Sequence, residues 1–262
     1  MGPISVNSLP DVSKVEPERA QDRVLYKVYT SLLRALTLSD SHRENLRRRG
    51  LNDEEIDKRK YRTLPLHGRA NIARKLADTY GVDLLLKIPG FYIREENGNK
   101  WLTLSGMPGI LIPVRDLSGQ IVGLKIRADD PGDGPKYTWF SSARYGGPGP
   151  GNRIHRPLFN GDTSLVRVTE GELKADIATA ISEILTLSIP GVSSWRQILP
   201  VLRECGAKTV RLAFDADART NANVARALGL TARALAEEGY EVEVETWDLK
   251  QGKGIDDVLA NG

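Results

Sequence analysis

The chain has 262 residues, 40% of them hydrophobic and 27% charged, enough to bury one large core or two smaller ones. Its single cysteine, Cys205, excludes a disulfide framework and any zinc ribbon built within the chain, since such a ribbon needs about four closely spaced Cys or His ligands. No apolar run approaches the roughly 20 residues that span a bilayer, and the polar start carries no signal-like stretch, so no membrane role and a cytoplasmic protein are expected.

Net charge is +3 but unevenly spread: residues 1–160 hold 26 Lys+Arg against 18 Asp+Glu, and residues 161–262 hold 11 against 16. This suits a front part that neutralises phosphates and a rear part that gathers carboxylates around a cation, and it equally suits ordinary solvated faces.

Residues 1–19 mix Pro, Ser and Asn without periodicity and read as a flexible leader. Apolar residues at helical spacing predict a helix from Asp22 to Leu36, a second capped by Ser39 and Asp40, a third after Asn52, and a fourth from Gly68 to Tyr80 stopped by Gly81. The basic runs Arg47–Arg49 and Lys58–Arg62 can grip a nucleic-acid backbone or simply solvate a helical surface. Beyond Gly90 the texture changes to short apolar runs, with a β-hairpin predicted over Gly109–Arg127 about a turn at Asp116–Gly119. The stretch GGPGPG, Gly146 to Gly151, holds no regular structure and marks a boundary between a unit at 20–150 and one at 151–262. The second unit alternates strand and helix: strand 165–169, helix 172–185, strand 187–189, helix 194–205, strand 209–214, helix 221–238, strand 241–247. That order predicts an α/β unit with a mostly parallel sheet.

Acidic residues follow these strands: Glu170 after the first, Asp215 and Asp217 after the third, Asp256 and Asp257 beyond the last. The carboxyl edge of an open α/β sheet is where ligands bind. Carboxylates gathered there repel one another unless a cation neutralises them, and hard oxygen donors favour Mg²⁺ or Mn²⁺, hence phosphoryl transfer. For any single Asp at a strand end, helix capping is the competing role.

The segments VTEGELKAD (168–176), LAFDADART (212–220) and GKGIDDVL (252–259) resemble, in order, the acidic motifs of the toprim fold shared by DnaG-type bacterial primases, phage primase-helicases, topoisomerases and some nucleases. The preceding ILIPVRDLSGQIVGLKIRADDPGDGPKYTWFSS (110–142) resembles the hairpin of DnaG-type primases. The resemblance implies a Rossmann-like toprim domain preceded by a small α+β primase-like subdomain and a helical N-terminal region. It implies Glu170, Asp215 and Asp217 as catalytic residues, these and Asp256 as ligands of Mg²⁺ or Mn²⁺, and Arg115, Arg127, Lys136 and Lys174 as contacts to nucleotide or DNA. It also implies a single-stranded DNA template, nucleoside triphosphates and a replicative helicase domain or subunit as partners, in the replication system of a phage, plasmid or other mobile element. Tyr137 and Trp139 either stack on an unpaired base or pack in the core.

The chain departs from the primase pattern at two acidic positions, now Lys174 and Gly254. Glu172, Asp176 or the substrate could supply the missing oxygens for a second metal, or the Lys174 ammonium could stand in for a cation's charge. A toprim nuclease and a non-catalytic DNA-binding module that recruits a helicase or initiator are the alternatives. The zinc module of DnaG-type primases is absent from this sequence, which leaves template selection to the helical region or to another polypeptide.

Overall fold

The computed structural model describes residues 17–215 and 222–262. Most of the expected leader, residues 1–16, and Asp217 lie outside the described residues.

The helical lead-in forms α1 (Asp22–Arg34), α2 (Asp40–Arg48), α3 (Asp53–Arg59), α4 (Arg69–Tyr80) and the short α5 (Val82–Leu85). The polar residues that flank them act as caps. Ser39 Oγ accepts the His42 N–H and Asn52 Oδ1 accepts the Glu55 N–H, each filling an otherwise unmatched donor of a first turn. The stripe Leu25, Val28, Tyr29, Leu32 and Leu33 of α1 is buried, as its helical spacing predicts.

The predicted hairpin is β4 (Gly109–Arg115) and β5 (Ile121–Ala128), the centre of an antiparallel sheet whose edges are β1 (Arg62–Leu64) and β6 (Tyr137–Trp139), in the order β1-β4-β5-β6. Side chains alternate between its two faces. Leu111, Leu124 and Ile126 join the core under α1 and α4, while Ile110 and Ile112 meet α2, α3 and the helix α6 (Glu172–Ser182) through Leu46, Ile56, Leu173 and Ile177. Both faces being covered, every residue of β4 is buried. A separate two-stranded sheet, β2 (Phe91–Glu96) with β3 (Asn99–Leu104), turns at Asn97 and Gly98. Both of these residues have positive φ (52° and 76°), the conformation that a tight hairpin turn with Asn-Gly requires.

The later part holds β7 (Leu165–Glu170), β8 (Thr186–Ile189), β9 (Thr209–Leu212) and β10 (Glu241–Val244) in one sheet, order β10-β9-β7-β8, with every pairing parallel. The helices α7 (Ile198–Cys205), α8 (Ala222–Glu237) and α9 (Ile255–Asn261) complete it. The mixed α/β fold is therefore a parallel sheet together with antiparallel ones. The predicted helix over 194–205 divides into a 3-10 stretch, Val192–Gln197, and α7. No helix among the described residues is long and apolar enough to cross a membrane.

Part of the basic runs is taken up by local ion pairs: Arg47 pairs with Asp53, and Lys58 and the buried Arg59 with Glu55 on the preceding turn. Arg43 of α2 likewise pairs with Asp53 and Asp57. The Arg43 and Arg47 pairs brace α2 against α3.

Candidate functional site

The strand order puts Glu170 and Asp215 side by side. β7 and β9 are adjacent and parallel with Val168 opposite Leu212, so Glu170 is level with Phe214, the residue before Asp215. Both sit at the carboxyl edge of the sheet, where the chain leaves each strand and ligands have access. The first turn of α9 brings Asp256 and Asp257 to the same place. From the opposite side the antiparallel sheet contributes Lys125, Lys136 and Tyr137, and these groups line one cleft of about 520 Å³.

The charges of this cleft are matched. Its lining includes five carboxylates, Glu170, Glu172, Asp215, Asp256 and Asp257, and five cations, Arg49, Lys125, Lys136, Lys174 and Lys253. Glu172, 3% exposed, forms an ion pair with Lys125 Nζ at 3.1 Å, and Asp256, also 3% exposed, accepts a hydrogen bond from Arg49 at 2.5 Å. Asp215 pairs with Lys174 on one oxygen and lies 3.9 Å from Lys253 Nζ on the other. Asp257 Oδ2 accepts the Gly254 N–H at 3.2 Å, the capping role open to any Asp at a helix start. A cation is expected to offset these carboxylates, and side-chain cations in the same cleft supply positive charge beside the described ones.

On the antiparallel sheet, Lys125 pairs across the ladder with Trp139 and Arg127 with Tyr137, so all four share one face. The Lys125 ammonium lies 4.8 Å above the Trp139 ring, held by the ring's negative face. Lys136 is exposed at the rim. The neighbouring Arg127 guanidinium, burial and Arg49 pull its pKa below the ordinary lysine value, while Asp257 acts the other way. That rim is a concentrated positive field.

Two expected groups lie elsewhere. Arg115 is 4% exposed, and its guanidinium donates to the carbonyls of Gly119 and Arg59, both at 3.0 Å. It is spent on holding the β4–β5 turn to the end of α3 and does not line the cleft. Asp176, considered as a source of metal oxygens, is 2% exposed on the buried side of α6, where Tyr61 donates to it at 2.6 Å and His155 Nε2 at 3.2 Å, with Arg59 Nε 3.3 Å away. His155 Nδ1 accepts the Arg115 backbone N–H at 3.0 Å, which leaves the ring proton on Nε2. Burial alone would raise the Asp176 pKa, but His155, Arg59 and Tyr61 outweigh it and hold the carboxyl below the usual range.

Sequence reasoning missed Lys125, Lys253 and the cleft role of Arg49. Lys125 stands two residues before Arg127 on a strand and therefore on the same face, and Lys253 stands inside the third acidic motif. Among the described residues no three His, Cys, Asp or Glu side chains converge on one point that could hold a metal. Mg²⁺ needs only one or two protein carboxylates beside waters and substrate phosphates, and the hard donors Glu170 and Asp215 at the open mouth of the cleft fit that requirement.

Residues 160–262 match a family described as a domain of unknown function (DUF3854). No curated protein matches the chain. Among solved structures, the zinc-binding and RNA polymerase domains of the Aquifex aeolicus primase superpose with TM-score 0.69 at 14% identity, over 95% of this chain and 59% of that one. A DnaG primase catalytic domain bound to single-stranded DNA gives TM-score 0.69 at 18% identity, over 90% and 74%. The RNA polymerase domain of Mycobacterium tuberculosis DnaG, in complex with a double-stranded DNA oligomer with a 6-nucleotide overhang, gives 0.61 at 15%, over 93% and 79%. This chain therefore spans less than two thirds of the Aquifex aeolicus chain, and it has the fold of the catalytic core of DnaG-type primases.

Proposed function

We propose that the chain is a primase-like nucleotidyltransferase that makes short primers on single-stranded DNA by Mg²⁺- or Mn²⁺-dependent phosphoryl transfer, in the cytoplasm and within the replication system of a phage, plasmid or mobile element. The observation that carries this is the cleft itself. Glu170 and Asp215, at adjacent parallel strand ends, share the cleft with Lys136 and Tyr137, and Arg127 lies across the ladder from Tyr137. The likeness of fold to DnaG catalytic cores supports it.

In this reading Asp215, Asp217 and Asp256 would hold the divalent ion together with the triphosphate, and Glu170 would ligate or orient that ion. Once bound, the ion supplies Lewis acidity and offsets charge on the leaving pyrophosphate. Arg127 and Lys136 hold phosphates by charge-assisted hydrogen bonds, and the 36% exposed Tyr137 offers a ring to an unpaired base. The unit at 20–150 guides the template and the unit at 151–262, a toprim domain, carries the carboxylates, with a helicase domain or subunit as the partner that delivers single strands.

A second reading, a non-catalytic module that binds DNA and recruits a helicase or initiator, draws on one observation: side-chain cations balance the carboxylates lining the cleft. The two are separated by incubating the chain with single-stranded DNA, labelled nucleotides and Mn²⁺ beside Glu170→Gln and Asp215→Asn. Products that vanish in both variants establish the synthase. Intact DNA binding without products establishes the recruiting module, and degraded template a toprim nuclease.

A further inference from the structure

Lys174 stands on the first turn of α6 and pairs with Asp215 just beyond β9. On its way its side chain passes over Gly254. A Cβ built on Gly254 would lie 2.7 Å from Lys174 Cε, 3.0 Å from Nζ and 2.6 Å from Asp256 Oδ1. The Gly254 backbone, φ −113° and ψ 165°, is ordinary extended chain that any residue adopts. Glycine there leaves room rather than supplying a special conformation, and the ends of the Lys174 and Asp256 side chains fill that room and would have to shift for any larger residue. The two departures from the acidic pattern, Lys174 and Gly254, meet at one point of the cleft, between Asp215 and Asp256.

We propose that the Lys174 ammonium is a fixed occupant of the cleft that takes the place of one of two divalent cations, leaving a single divalent ion to bind at Glu170 and Asp215. The inference rests on reading the cleft as a phosphoryl-transfer site and specifies its metal requirement. A two-metal site clamps the attacking and leaving oxygens together, with two hard cations about 3.5–4 Å apart. An ammonium supplies one positive charge and three donors but no open coordination position. It neutralises Asp215 and its surroundings without a metal's demand for octahedral oxygens, so a carboxylate at 174 is no longer needed and one at 254 would have to push the lysine aside. Lys174 is thus a positioning residue: it sets the charge and shape in which the remaining ion and the triphosphate sit.

The test counts ions. Free Mn²⁺ is followed by electron paramagnetic resonance as the full chain is titrated, with folding of every variant verified by its unfolding transition. The expected result is about one tightly held Mn²⁺ per wild-type chain, about two per Lys174→Asp chain, and the wild-type count in Lys174→Arg. Equal counts in wild type and Lys174→Asp, or a wild type that binds none, overturn the proposal. A second measurement is independent of metal. Gly254→Ala lowers the unfolding midpoint, and part of that loss returns when Lys174→Ala is added; strictly additive effects overturn the placement of the lysine. Primer synthesis is scored apart from both: a chain that makes no primers yet gains an ion in Lys174→Asp retains this inference and loses the primase reading.

Discussion

The Arg49 guanidinium and the Asp256 carboxylate, 207 positions apart in sequence, meet at 2.5 Å and join the end of α2 to the first turn of α9. Asp256 is almost wholly buried, while the Arg49 side chain keeps 24% of its surface. Removing the cation leaves a buried carboxylate short of its partner, whereas removing both charges leaves little to compensate. Arg49→Ala is therefore expected to cost about 3 kcal/mol, the lower end for a broken buried pair because Arg49 is part-exposed. Asp256→Asn should cost less, and the double variant much less than the sum. A urea-unfolding cycle that shows no coupling between the two positions would sink the idea that this pair ties the helical lead-in to the acidic motif.

Asp176 makes the neighbouring region acid-sensitive. Its carboxyl has a lower pKa folded than unfolded, because His155, Arg59 and Tyr61 together outweigh the effect of burial. A depressed carboxyl stabilises the fold at pH values above its unfolded pKa, about 4, and that contribution is lost as pH falls from there toward the folded value. Wild-type stability should therefore drop steeply below about pH 4. In Asp176→Asn the neutral-pH stability should already be low and this part of the acid slope missing. Tyr61→Phe, which strips the 2.6 Å donor, should cost about 1–3 kcal/mol at neutral pH. Identical acid slopes in wild type and Asp176→Asn would count against the assignment.

The strand ends that carry Glu170 and Asp215 were legible because β7 and β9 are short apolar runs bounded by turn residues and separated by helical spacing, and an α/β order dictates which edge is open. The β4–β5 hairpin was legible for the same kind of reason. β1 was not: three residues, Arg62 to Leu64, begin inside a basic run and pair with β4 along a stretch too short for any side-chain period to announce. The β2–β3 turn does carry a local signal, the Asn97-Gly98 dipeptide, although the polar strands around it blur the alternation. The charge balance of the cleft could not be seen at all. Arg49, Lys125 and Lys253 come from a helix end, a strand and a loop far apart in sequence, and only the packing of α6 against β4 brings them to the carboxylates. Arg115 shows the converse, where a matching position in a motif says nothing about which way a long side chain turns: its guanidinium donates to the Gly119 and Arg59 carbonyls.

Arg115→Ala should therefore behave as a stability variant. Its guanidinium satisfies two carbonyls in a nearly dry setting, so truncation leaves acceptors unmatched and is expected to cost about 2 kcal/mol. Thermal unfolding reads that loss directly. Affinity of the folded variant for single-stranded DNA should stay within about twofold of wild type, since a group that does not reach the cleft makes no phosphate contact. A large fall in affinity with an unchanged unfolding midpoint would restore Arg115 to the nucleic-acid interface.

Arg127 and Lys136 should behave in the opposite way. Lys136 is exposed at the cleft rim beside Arg127, whose positive charge is the leading cause of its lowered pKa, with Asp257 acting the other way. Two cations held this close repel until an anion arrives, and a phosphate that arrives displaces condensed counterions from the strand. Removing one phosphate-binding cation should reduce the slope of log affinity against log salt by about 0.7 for a single strand. Arg127→Ala and Lys136→Ala are each expected to show that change with little effect on stability. Arg203→Ala, which removes a cation already paired with Glu238 outside the cleft, should leave the slope as it is. Fluorescence anisotropy of a labelled oligonucleotide across a salt series measures all three. A slope that does not move for either rim variant would remove the template from this face of the molecule, whatever the chemistry of the carboxylates beside it.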